Sequence, residues 1–205
     1  MPAMKRLSFN AVVIFLIVAL FQVSAFSQSP DEKAAFSKVV SSARQMKNMT
    51  ASFRETKRLK MLSDAVEKTG RLWYQSPSSL RWEYDSRNYG VYNQKGGYMV
   101  RDGHRDGASS RGFSAMGKMV TSMMSSLSED MKEFSVSYAM ESGKLKVTAT
   151  SASARMKAMV DRVIMVFDVS TCHIRSFEMV NNAGSTLIVF SSVTTDTEID
   201  RQLFN

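Results

Sequence analysis

The sequence predicts a mainly β protein: a curved antiparallel sheet of about ten strands, or a partly closed barrel, with helices on one side. Three observations carry this. Short segments rich in aromatic and β-branched residues recur from Thr50 onward, separated by turn signals such as "QSPS", "KGG", "RDG" and "NNAG". Two segments carry apolar residues at helical spacing instead. Nowhere do strands and helices alternate as a parallel sheet would need, and no long-period repeat is present.

The first helix is expected in "SPDEKAAFSKVVSSARQMKNM". Ser29 and Glu32 form a capping box, Pro30 suits the first helical position, and Phe36, Val39, Val40, Ala43 and Met46 recur at helical spacing. Strands follow in "TASFRETKRLKML", "EKTGRLWYQ", "SLRWEYDS", "YGVYNQ" and "YMVRD". The second helix is expected in "GFSAMGKMVTSMMSSLSED", with Phe113, Met116, Val120, Met123, Met124 and Leu127 in one stripe. Strands resume with "KEFSVSYAM", "GKLKVTATS", "AMVDRVIMVFD", "CHIRSFEMVNN" and "STLIVFSSVTT", and "DTEIDRQLFN" reads as an irregular tail.

Met1 to Ser27 reads as a signal peptide. Lys5 and Arg6 precede the apolar run Ala11 to Phe21, which stops short of a membrane span, and a small-residue exit allows cleavage after Ala25 or Ser27. No cysteine follows either point to accept a lipid. Residues 28–205, without a Pro- or Ser-rich linker, are expected to form a single domain outside the cytoplasm, acting as a monomer. The lone Cys172 has no partner for an internal disulfide. Without the leader the formal charge of +8 falls to +6. Such a balance favours anionic surfaces, but the basic residues are scattered and often sit beside acids, so nucleic acid is not an expected partner.

The apolar faces pose the functional question. Leu80, Trp82 and Tyr84 point one way and Arg81 and Glu83 the other, which makes one face strongly aromatic. In "AMVDRVIMVFD", Met159, Val163, Met165 and Phe167 fall on one side, and Val160, Ile164 and Val166 on the other. Either both faces are covered, or one lines a cavity. The chain holds 16 methionines; the flexible thioether suits irregular cores and ligands of variable outline alike.

Sites for chemistry are not apparent. Two histidines and one cysteine give no metal-ligand spacing. Cys172 and His173, as neighbours in a strand, would point to opposite faces. "GFSAMG" lacks the second glycine of an esterase elbow, and "GGYMVRDG" lacks the features of a phosphate loop. No enzyme activity and no cofactor are expected.

The order of these elements, and above all G-x-L-W-Y-x-x-P-x-x-L-R-W-E-Y from Gly70 to Tyr84, resembles the LolA family of periplasmic lipoprotein carriers, over about Asp31 to Phe204. The resemblance implies an incomplete β-barrel of ten to eleven strands, covered by helices around a hydrophobic cavity for the acyl chains of lipoproteins. It implies an inner-membrane ABC-type release complex as donor and an acceptor at the outer membrane. Carried over by position, Trp73, Leu80 and Trp82 belong to the cavity. With them, Leu72, Tyr84, Val120, Met123 and Met124 are expected to bind lipid, the helix bearing the last three moving aside. Family members hold this lid with an arginine before the motif proline; here that position is Ser76, leaving Arg71 or Arg81 as substitutes. Relatives of this fold also serve free lipids or glycolipids.

Overall fold

The computed structural model describes residues 29–128 and 131–205. The signal-peptide reading lies outside the described residues.

Helix α1 (Pro30–Gln45) begins as expected. The Ser29 hydroxyl accepts from the Glu32 N–H at 3.2 Å and the Glu32 carboxylate accepts from the Ser29 N–H at 2.9 Å, which satisfies two otherwise orphaned donors. Glu32 also accepts from the Met140 N–H at 3.2 Å, and Phe36 stacks on Tyr138 at 4.3 Å. The start of the helix is thereby fixed to one edge of the sheet.

Eleven strands follow: β1 (Asn48–Leu59), β2 (Val66–Gln75), β3 (Ser79–Asp85), β4 (Asn88–Asn93), β5 (Gly96–Arg101), β6 (His104–Arg105), β7 (Phe134–Glu141), β8 (Lys144–Ser151), β9 (Arg162–Asp168), β10 (Ile174–Asn181) and β11 (Gly184–Thr195). They form one antiparallel sheet in the order β6-β5-β4-β3-β2-β1-β11-β10-β9-β8-β7. Consecutive strands pair within two meanders, β1 to β6 and β7 to β11, and β1 pairs with β11 to join them. β6 and β7 stand at opposite edges, so the sheet is open.

The sheet is strongly curved. Trp82 on β3 and Phe167 on β9 line the same cavity, although five strand spacings separate them, about 24 Å in a flat sheet. Helix α2 (Gly107–Ser126) lies across the inner face, capped by Asp106, whose carboxylate accepts from the Ser109 N–H at 3.0 Å. Its expected stripe faces inward: Phe113, Val120, Met123 and Leu127 are buried, and Met116 and Met124 half-buried. Among the described residues no helix is long and apolar enough to cross a membrane.

Three details depart from the expectations. "AMVDRVIMVFD" does not start as a strand: helix α3 (Ala154–Met159), capped by Ser153, occupies its beginning and β9 starts at Arg162. Val163, Met165 and Phe167 do share the inner face, whereas Met159 sits exposed at the end of α3. Good helix formers in "ARMKAM" win over the apolar run that follows. Cys172 and His173 precede β10, which begins at Ile174. The tail forms a 3-10 turn, Arg201–Phe204, that buries Phe204 and is held by bonds from Asn93 Nδ2 to the Phe204 carbonyl and from the Tyr98 hydroxyl to the Asn205 carbonyl, each 2.7 Å.

Candidate functional site

Between α1, α2 and the inner face of the sheet lies a cavity of about 440 Å³, with walls that include Met46, Leu72, Trp82, Met123, Phe167 and Phe190. That size falls within the range of about 300–1,000 Å³ usual for small-molecule pockets. At one end the lining turns polar, with Lys38, Thr171, His173 and Asp196. Lys38 Nζ donates to the Val169 carbonyl at 2.8 Å, which ties α1 to the loop after β9 at this rim.

Period-two geometry explains how the motif strands contribute. β2 and β3 pair with Leu72 opposite Trp82, Tyr74 opposite Leu80 and Trp73 opposite Arg81. Leu72, Tyr74, Leu80 and Trp82 therefore face inward together, and Trp73 and Arg81 face outward. Of the eight expected residues, Leu72, Trp82, Val120, Met123 and Met124 line the cavity. Leu80 is wholly buried beneath that wall without lining it. Tyr84 lines an adjoining recess of about 390 Å³ shared with Trp82, Met99 and Phe113. Trp73 departs from the expectation: it lies on the opposite face from the cavity.

Phe53 packs against Trp82 at 4.4 Å and meets Tyr84 edge-on at 5.8 Å. The motif glycine makes this possible: a Cβ on Gly70 would sit 2.5 Å from the Phe53 ring and 2.2 Å from the Glu83 carbonyl. The Tyr84 hydroxyl donates to Glu55 Oε2 at 2.6 Å. Burial, and behind it the adjacent Glu55 carboxylate, push this phenol well above the usual tyrosine range. The Trp82 indole N–H is buried beside that hydroxyl.

The roof is fastened at one end. The Met99 N–H donates to Ser110 Oγ at 3.0 Å and the Gly97 N–H to Ser114 Oγ at 3.2 Å, pinning the first turns of α2 to β5. Further along, the Thr121 hydroxyl turns back to the Gly117 carbonyl of its own helix at 2.9 Å. Val120, Met123, Met124 and Leu127 offer the cavity apolar contact. Neither expected substitute for the lid arginine touches this roof. Arg81 faces outward, pairs with Glu83 at 2.5 Å, lies over the Tyr89 ring and donates to the Leu203 carbonyl at 3.3 Å. Arg71, two residues before Trp73, shares that outer face and is exposed.

Several cavity residues lay beyond the sequence reading, among them Ile188 and Phe190 of β11 and Phe177 of β10. Their alternation in "STLIVFSS" and "IRSFEM" marked an inner face, but strand order was needed to bring β10 and β11 beside β1. Among the described residues no group of three or more His, Cys, Asp or Glu side chains is placed to hold a metal ion.

The profile of the family described as "Outer membrane lipoprotein carrier protein LolA" matches residues 44–205. The chain belongs to the LolA family. No curated protein matches this LolA-family chain in sequence. Its trace is similar to three solved structures at low identity. A DUF1329 family protein from Desulfovibrio piger shares 9% identity at a TM-score of 0.46, with 84% of this chain and 96% of that one covered. The lipoprotein LppX of Mycobacterium tuberculosis shares 12% at 0.46, with 84% and 100% covered. A LolA superfamily protein from Nitrosomonas europaea shares 5% at 0.41, with 85% and 97% covered.

Proposed function

We propose that this LolA-family protein is a periplasmic carrier, not an enzyme, which takes the acyl chains of lipoproteins into the cavity beneath α2 and ferries them from the inner to the outer membrane. The observation that carries this reading is an apolar cavity whose roof helix is hydrogen-bonded to the sheet at one end and seated on flexible methionines at the other. Swinging the second half of α2 outward breaks none of its serine tethers to β5. Each methylene then buried contributes about 0.8 kcal/mol, offset by the loss of the contacts α2 makes with the cavity wall. That offset keeps loading reversible, which a carrier needs to release its cargo. An ABC-type release complex in the inner membrane is the proposed donor, with an acceptor at the outer membrane.

A second reading, a periplasmic carrier or sensor of free lipid or glycolipid, is favoured by Ser76. The family arginine is absent there, and the roof is held instead by Ser110 and Ser114. Native mass spectrometry of the gently isolated protein, followed by denaturing lipid and peptide analysis, separates the two. A co-purifying acylated polypeptide supports the first reading and a free lipid the second. Repeatedly empty preparations would count against both.

A further inference from the structure

Among the described residues, four of the five exposed large apolar side chains gather at one end of the sheet, the fifth being Val189 in the middle of β11. β1 and β2 are joined by residues 60–65, where Met61 is 86% and Leu62 50% exposed, and Val66 at the start of β2 is 43% exposed. The tip is held in shape: the Leu62 N–H donates to the Leu59 carbonyl at 3.0 Å, and the Lys60 N–H donates to the Ala183 carbonyl of the adjacent β10–β11 turn at 2.9 Å. That turn leads to Met159, 53% exposed, whose carbonyl accepts from Asn181 Nδ2 at 3.5 Å. Met159 also lines a second cavity of about 440 Å³ that includes Met119, Met131 and Met156 and so reaches the surface at this end.

Charge accompanies the apolar tip. Lys57 and Arg58 of β1, Lys60 of the connection and Lys68 of β2 are exposed, against Asp64 and Glu67. Bulky apolar side chains on a braced turn, ringed by cations that outnumber the acids, match the two layers of an anionic bilayer surface: acyl boundary below, headgroups above. A partner protein's flat or acidic face would meet the cations but leave Met61 in water.

We propose that this end of the protein docks on an anionic lipid bilayer, with Met61 and Leu62 entering the interface and Lys57, Arg58 and Lys60 meeting headgroups. The docking does not depend on what the cavity carries.

The test compares the parent chain with Met61→Ser/Leu62→Ser, Arg58→Gln/Lys60→Gln and Leu62→Trp on vesicles of phosphatidylethanolamine with phosphatidylglycerol. The substituted side chains are exposed, and circular dichroism checks that each variant folds. Any membrane affinity held by residues 1–28 is common to all four chains. Loss of each cation is expected to weaken partitioning about fivefold at low salt, and loss of both apolar side chains at least as much. The Leu62→Trp emission, corrected for Trp73 and Trp82, is expected to shift to the blue and to be quenched by brominated lipid. Emission that stays at its water-exposed value would overturn the proposal. So would tryptophan contact with undiminished partitioning in the Met61→Ser/Leu62→Ser chain, or binding restricted to another protein or a second copy of this chain.

Discussion

The hydroxyl of Ser110 accepts a 3.0 Å hydrogen bond from the Met99 N–H while donating at 2.6 Å to the Asp106 carbonyl, which locks the first turn of α2 onto strand β5. Ser114 repeats the attachment one turn later. Beyond it, α2 rests on methionine, valine and leucine. Among the described residues, serine bonds to β5 hold the first half of the roof, and the second half presents methionine, valine and leucine to the cavity.

Replacing both serines by alanine leaves two half-buried strand N–H groups without acceptors, at a cost of about 1–3 kcal/mol for each. The Ser110→Ala/Ser114→Ala protein is expected to melt at a lower temperature, to exchange the amides of residues 107–126 at least tenfold faster, and to take up an acyl-chain fluorophore more quickly. Unchanged exchange in α2 would show that the serines do not fasten it.

Charge placed in the cavity wall should separate lipid binding from stability. Met124 is half-buried and lines the cavity, so Met124→Glu leaves its carboxylate partly solvated and is expected to abolish acyl binding while the fold survives. Leu80 is wholly buried; Leu80→Ala is expected to cost about 2–5 kcal/mol in chemical denaturation, with little change in the affinity of the molecules that remain folded. Equal losses of affinity in both variants would contradict this placement.

The contrast between Leu80 and Met124 also shows what the sequence could convey. Alternation from Leu80 to Tyr84 gave the strand and its inward face correctly, and the Ser29 and Glu32 pair gave the start of α1, because both depend on neighbours in the chain. Which inward residues touch the empty volume depends on where α2 comes down, a tertiary contact without a local signature. Trp73 shows the limit in another way: being in the motif placed it with Trp82, while its odd position in β2 turned it outward. The helix "ARMKAM" took over the first two residues of an expected strand, Ala158 and Met159, because helix propensity and apolar alternation overlap in so short a run.

Close packing of α2 on the sheet depends on Gly117. A Cβ there would lie 2.6–2.9 Å from the Tyr92 ring. In an exposed helix Gly→Ala stabilises by about 1 kcal/mol; here overpacking of about 1–3 kcal/mol opposes it. Gly117→Ala is therefore expected to be neutral or destabilising in urea denaturation, and to raise amide exchange in α2. Gly112, whose Cβ would meet nothing within 4 Å, is the control, and Gly112→Ala should stabilise. The same gain at both sites would mean that α2 can shift away from Tyr92 freely.

Acid should loosen the cavity rim through Asp168. Its carboxylate accepts from the Ser170 N–H at 3.0 Å, the Thr171 N–H at 3.2 Å and Arg175 at 2.8 Å, with the Ser170 hydroxyl added. The Ser170 hydroxyl first, then Arg175 and the loop amides, hold this carboxyl far below its ordinary value of 3.8. A carboxyl depressed by folding stabilises the fold above its unfolded pKa, and that contribution fades as pH falls below about 4 toward the lower folded value. Thr171 and His173 of the same loop line the cavity, so release of a bound acyl fluorophore is expected to accelerate below about pH 4, with amide exchange of residues 168–173 rising in step. Asp168→Asn lacks the charge at every pH. It should show the loosened rim already at neutral pH and lose the acid-dependent step; a parent-like acid response in Asp168→Asn would assign the effect to another group.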